Sequence, residues 1–130
     1  MKRSLILLVF LFLLPVSPAY ADATNPANVD LADAPTITVD WSKASTQFVT
    51  LHGNRTFIFL NGEKGKHYTL VVTQDATGSR TVTLPSSVRW PGMTPPISPP
   101  VLTTAATKTD YIGFIYNGVN YDALALSQNY

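Results

Sequence analysis

Two Thr-rich apolar runs, Tyr68–Thr73 and Arg80–Leu84, flank the block Gln74-Asp75-Ala76-Thr77-Gly78-Ser79, and no other stretch constrains the fold as strongly. In an extended chain Tyr68, Leu70 and Val72 share one face, and Thr69, Val71 and Thr73 the other. β-Branched residues at this density lose side-chain entropy in a helix and suit a pleated surface. The break between the runs has turn chemistry. Asp75 can accept the amides of the residues after it, Gly78 can take positive φ without a Cβ clash, and Arg80 stands close enough in sequence to pair with Asp75. The spacing predicts a hairpin whose return strand is Arg80–Leu84, with Asp75, Gly78 and Arg80 as structural turn residues.

The same grammar recurs along the chain. Pro35–Trp41 alternates, with Ile37, Val39 and Trp41 toward one face, and Gln47–Leu51, Arg55–Leu60 and Val88–Trp90 read as further strands. Asp110–Tyr116 and Tyr121–Leu126 are joined by Asn117-Gly118-Val119-Asn120, a strong short-range hairpin signal. No segment carries a 3.6-residue apolar period over helical length. About eight short strands separated by turn signals predict an all-β fold, an antiparallel β-sandwich of jelly-roll-like type. The proline-rich stretch 91–100 breaks the pattern and reads as a stiff loop or edge crossing, since proline fixes φ and removes ladder donors.

The first residues have a different logic. Met1-Lys2-Arg3, an apolar run from Leu5 to Leu14 and an Ala19-Tyr20-Ala21 end predict a signal peptide over 1–21, cleaved after Ala21. The run is shorter than the roughly 20 residues a bilayer requires, so no stable membrane insertion is expected after cleavage. The expected destination is the periplasm or the extracellular space. Residues 22–34 are small and polar and read as an extended arm or linker, leaving 35–130 as the sandwich domain. Val29 and Leu31 alternate within that arm, which suggests strand addition onto a neighbouring subunit and a homo-oligomer or surface assembly.

Of nine basic residues, two, Lys2 and Arg3, lie in the leader, and the chain has eight acidic residues, so the remainder is nearly neutral. That balance excludes nucleic acid as a broad electrostatic partner. With no cysteine, stability must come from burial, sheet pairing or association.

Chemistry-bearing residues are sparse. His52 and His67 lack metal-ligand spacing, Asp75, Asp110 and Asp122 are far apart in sequence, and no Asp-x-Asp pattern supports calcium. No nucleophile elbow or phosphate-binding loop occurs, so neither an enzyme nor a cofactor or metal is expected. Asn54-Arg55-Thr56 matches a glycosylation acceptor and equally suits a turn. Trp90, Tyr116, Asn117, Asn120 and Tyr121 are the one candidate ligand set. Aromatic faces beside amides are what a surface glycan requires, and packing of the same aromatics in the sandwich is the alternative.

Several of these stretches together resemble the C-terminal β-sandwich domain of tailed-phage virion proteins, including tail fibres. The residues carrying the resemblance are Leu51-His52-Gly53-Asn54-Arg55-Thr56, Tyr68-Thr69-Leu70, the block Gln74–Arg80, Trp90-Pro91-Gly92, Asp110–Tyr116 with Asn117-Gly118, and Asn129-Tyr130. Met93 and the segment Ile97–Pro100 depart from the pattern. The resemblance implies a non-enzymatic structural or adhesive module that acts by host attachment or self-assembly. A carbohydrate-binding module is the alternative.

Overall fold

The computed structural model describes residues 28–92 and 99–130. The expected leader 1–21, residues 22–27 of the arm, and 93–98 of the proline-rich loop lie outside the described residues. Among the described residues there are nine strands: β1 (Asn28–Asp30), β2 (Thr36–Asp40), β3 (Thr46–Leu51), β4 (Arg55–Leu60), β5 (His67–Gln74), β6 (Val82–Thr83), β7 (Val88–Arg89), β8 (Thr109–Tyr116) and β9 (Tyr121–Ser127). They form a six-stranded sheet in the order β1-β3-β5-β8-β9-β7 and a three-stranded sheet in the order β2-β4-β6. The expected all-β sandwich is therefore present, with the six-stranded sheet mixed and the three-stranded sheet parallel. Antiparallel pairing is confined to β5–β8 and β8–β9, and the other pairs are parallel.

From β1 to β6 the chain alternates between sheets, and each strand pairs in parallel with the strand two places on. Parallel neighbours cannot be joined by a tight turn. Here a strand in the opposite sheet makes each crossover, so the first six strands are rungs of a coil. This corrects the expected hairpin: Arg80–Leu84 does not return beside β5 but crosses over, and Val82–Thr83 pairs with Arg55–Thr56 of β4. Period-two alternation reports which face a residue occupies and says nothing about which strand lies beside it. The second expected hairpin holds, with β8 and β9 antiparallel and a register shift at Gly113/Phe114.

The expected burial of alternate residues is observed on β2, β3, β4 and β8, whereas on β5 Val71 is buried along with its neighbours. Ile37 and Val39 on β2, Val49 and Leu51 on β3, Phe57 and Phe59 on β4, Leu70 and Val72 on β5, and Ile112 and Phe114 on β8 fill the space between sheets. One end of this core is aromatic. Trp41 stacks on Tyr68 at 4.6 Å and meets Phe59 edge-on at 5.3 Å, and Phe59 meets Tyr121 edge-on at 5.1 Å. Offset and edge-to-face pairs of this kind add to the burial of the rings themselves.

The arm differs from expectation. Asn28–Asp30 pairs with Thr46–Phe48 of the same chain, Leu31 packs on the core, and Asp33 holds Arg55. The folded unit thus starts at least as early as Asn28, because the Val29/Leu31 alternation serves the chain's own sheet.

Candidate functional site

The eight residues of β5 separate the two groups of singled-out residues. At its C-terminal end lies the Gln74–Arg80 block; at its N-terminal end, roughly 20 Å away, lie the aromatics.

The block is held almost entirely through main-chain groups. The buried Gln74 side chain donates to the carbonyls of Arg80 and Thr103, and its oxygen accepts the Arg80 amide, all at 2.9 Å. Asp75 accepts the amides of Thr77 and Gly78 at 3.1 and 2.8 Å, and receives the Arg80 guanidinium, with Nη2 at 2.8 Å from Oδ2. The Arg80 contact, then the two amides, hold the Asp75 carboxyl below the usual carboxylate range against a raising effect of burial. Gly78 has φ of 70° and lies directly against the segment 103–108: a Cβ there would stand 2.7 Å from the Ala106 nitrogen and 2.8 Å from the Thr104 oxygen. Ser79 N donates to Thr104 O at 2.6 Å and Thr107 N to Asp75 O at 3.0 Å. The block docks one loop onto another, and Asp75, Gly78 and Arg80 are all spent in doing so. Sequence reasoning missed Gln74 and Thr103–Lys108; polar Gln74 at the end of an apolar strand was the available signal.

At the other end the candidate ligand residues divide. Tyr121 is only 4% exposed, with its ring among Trp41, Phe59, Tyr68 and Phe114 and the Tyr116 ring tilted against it 4.5 Å away. Burial first, with Tyr116 and Tyr68 nearby, pushes the Tyr121 hydroxyl up to about 12. Gly62 closes over both rings, and any Cβ there would strike the Tyr121 hydroxyl at 2.5 Å. Asn117 is likewise occupied: its oxygen accepts the Val119 and Asn120 amides at 3.0 and 2.9 Å, and its Nδ2 donates to Asp122 at 2.8 Å. Asn120 is half-buried, and its carbonyl accepts the Asn117 amide to close the turn.

Trp90 stands apart from these residues. It is half-buried at the rim of a depression of about 580 Å³ with Arg89, Asp122 and Leu124. Parallel pairing of β7 with β9 sets Arg89 beside Asp122, and Arg89 Nε donates to Asp122 Oδ1 at 2.6 Å. That bond, then the Asn117 amide, lowers the Asp122 pKa. The surface here offers one half-buried indole and one ion pair.

The remaining titratable groups are dispersed. Asp33 binds Arg55, with Arg55 Nε 2.7 Å from Oδ1 and Nη2 on Oδ2, and His52 lies 3.7 Å from Asp33 Oδ2. Asp110 is buried and accepts the Thr103 amide at 2.5 Å and the Asn129 amide at 3.1 Å. His67 is exposed at the start of β5. Asp75, Asp110 and Asp122 therefore serve three different turns. Among the described residues, no three His, Asp or Glu side chains gather as a metal site would require.

The sandwich and its docked loops describe a scaffold, and the sequence assigns its family. The family described as "Putative phage tail fibre C-terminal domain" matches residues 24–121, three quarters of the chain. The chain belongs to this family. Neither a curated protein nor a solved structure matches it. As a tail-fibre-family domain it is a structural, phage-tail-like module. The family match begins before β1, in agreement with the placement of Asn28–Asp30 inside the six-stranded sheet.

Proposed function

We propose that this tail-fibre-family domain is an exported, non-enzymatic module that works at a surface, by attachment and by assembly with copies of itself. The observation that carries the reading is where its polar chemistry goes. Gln74, Asp75, Asp110 and Asn117, among the residues best equipped to act on a substrate, each hold main-chain groups of the fold, and the Arg80 guanidinium is taken up by Asp75. Family membership supports a structural role, and the basic, apolar and Ala-x-Ala pattern of residues 1–21 supports export. The test has two parts. Intact-mass measurement after expression should find a product starting at Asp22 outside the cytoplasm. The purified chain, fluorescently labelled, should bind intact bacterial cells, and the heat-unfolded chain should not. A full-length cytoplasmic product, or equal binding by the unfolded chain, refutes the proposal.

A second reading, binding of a surface glycan, is favoured by Trp90 at the rim beside the Arg89–Asp122 pair. Stacking on the indole would supply affinity, and the ion pair would supply hydrogen bonds to hydroxyls. Buried Tyr121 takes no part. Glycan-array binding that is lost in Trp90→Ala, with circular dichroism unchanged, supports this reading; binding retained in that variant refutes it.

A further inference from the structure

The first rung of the coil is open on its outer side. Thr56 N donates to Pro35 O at 3.1 Å and Trp41 N donates to Leu60 O at 3.0 Å. In a parallel ladder both main-chain groups of a residue point the same way, so Ile37 and Val39 also aim at β4. The amides and carbonyls of Thr36 and Thr38, and the amide of Asp40, therefore aim away from it. Among the described residues, nothing lies beyond β2 in its sheet.

Edge strands are commonly blunted by shortness, by charge, or by proline or a bulge. The neighbouring edge, β1, is three residues long and bears exposed Asp30. β7 and β6, the edges on the far side, are two residues each. β2 has five residues, no proline, lysine or arginine within it, and an unbroken register with β4. Its one charge, Asp40, is already held by Ser42 at 2.7 Å and Asn61 at 2.8 Å. The adjoining outer face carries Thr36, Thr38 and Thr56 with half-exposed Ile58 and Leu60.

We propose that β2 is a self-association edge, on which a second copy of this chain adds its own β2 antiparallel about a twofold axis at Thr38. The inference rests on the assembly role proposed above and gives it an address. The outward positions 36, 38 and 40 are symmetric about Thr38. Thr38 therefore exchanges both main-chain bonds with the second copy's Thr38, and the Thr36 carbonyl accepts the second copy's Asp40 amide. No like charges meet across the pair, and the three-stranded sheets of the two copies become one continuous sheet. A head-to-tail arrangement has no such match, because β6 is too short to receive β2. An edge of this length buries little area, so the association is reversible and grows with concentration.

The test is sedimentation velocity on the purified chain from about 5 to about 500 μM, the range in which a small interface associates, with Thr38→Pro and Thr38→Lys beside it. Thr38→Pro removes an outward N–H and no bond within the sheet, and proline is tolerated on an edge. Thr38→Lys keeps the N–H and sets two like charges at the axis. Circular dichroism melts check the fold of each. The expected result is a monomer–dimer equilibrium that both substitutions weaken about tenfold or more, with the Thr38 and Asp40 amides exchanging more slowly as concentration rises. A monomer throughout, or a dimer indifferent to both substitutions, overturns the proposal. So does slow exchange at those amides that is independent of concentration, which would assign the edge to residues 22–27 of the same chain. Cell binding by a chain that stays monomeric overturns this interface alone, whereas dimerisation without cell binding overturns the attachment role alone.

Discussion

Replacing Gly78 with alanine adds one methyl group, and the structure separates the two penalties it incurs. The first is conformational: at φ of 70° the Cβ crowds its own carbonyl, which costs about 1–2 kcal/mol. The second is the approach of Thr104 and Ala106, whose main-chain atoms would lie 2.8 and 2.7 Å from that Cβ. Backbone cannot rotate aside as a flexible side chain can, so the 103–108 segment must withdraw. Withdrawal loosens the bond from Ser79 N to Thr104 O and that from Thr107 N to Asp75 O, each worth about 1 kcal/mol net. The total is about 3–4 kcal/mol, a large share of the roughly 5–15 kcal/mol that stabilises a typical domain. Gly65 supplies the control, because its φ is 85° and nothing lies within 4 Å of the added atom. Gly65→Ala should incur the conformational penalty alone, about 1–2 kcal/mol. Urea unfolding of the two variants beside the parent measures both. If they lose the same stability, the close docking of the Gln74–Arg80 block onto 103–108 is wrong.

Gln74→Leu keeps the bulk of the side chain but leaves the Arg80 amide and the Arg80 and Thr103 carbonyls without their partner; urea denaturation should show a loss of about 2–4 kcal/mol. Acid should destabilise the fold in a defined window. The carboxyls of Asp33 (held chiefly by Arg55), Asp75 (by Arg80) and Asp122 (by Arg89) are depressed below 3.8. Their contribution is thus complete above the unfolded value near 3.9 and is lost as pH falls through the lower folded values. Melting temperatures should be level from neutral pH to about 4 and fall below it, and a fall beginning near pH 6 contradicts this assignment. At the alkaline end, Tyr121 keeps its proton to about 12 in the fold against 10.0 in the free side chain. Stability should therefore drop as pH climbs between those values, and absorbance titration should show a late phenolate step that Tyr121→Phe removes.

Facing was legible in the sequence and neighbourhood was not. Ile37 and Val39, Phe57 and Phe59, and Leu70 and Val72 could be assigned to the core because alternation carries that information one residue at a time. The turn at Asn117-Gly118 could be placed because its chemistry is local. The parallel rungs could not, since each pair is fixed by contacts between distant stretches rather than by any turn residue. The same limit governs the site. The docking of Gly78 onto Thr104 and Ala106 runs through main-chain atoms, which a sequence does not distinguish. Tyr121 and Ala123 share the buried face of β9, but Leu124 and Leu126 hold the other register, so alternation alone did not decide which face turns inward. The position of Tyr121 after the Asn117–Asn120 loop drew attention to the wrong property.

The coil also has a consequence in time. Of the pairs joining the strands, only β8–β9 is closed by a short turn; every other pairing waits for chain that lies a crossover or more away. A hairpin of that kind can form within about 1–10 μs, whereas sheets dominated by non-local pairing fold in roughly milliseconds to seconds. The rung at Asn28–Asp40 has no strand to rest on until β3 and β4 exist, and β5 lacks one of its two neighbours until β8 has been made. During synthesis from the N-terminus the early strands therefore emerge well before the partners that complete them, and the six-stranded sheet closes only when the last quarter of the chain arrives.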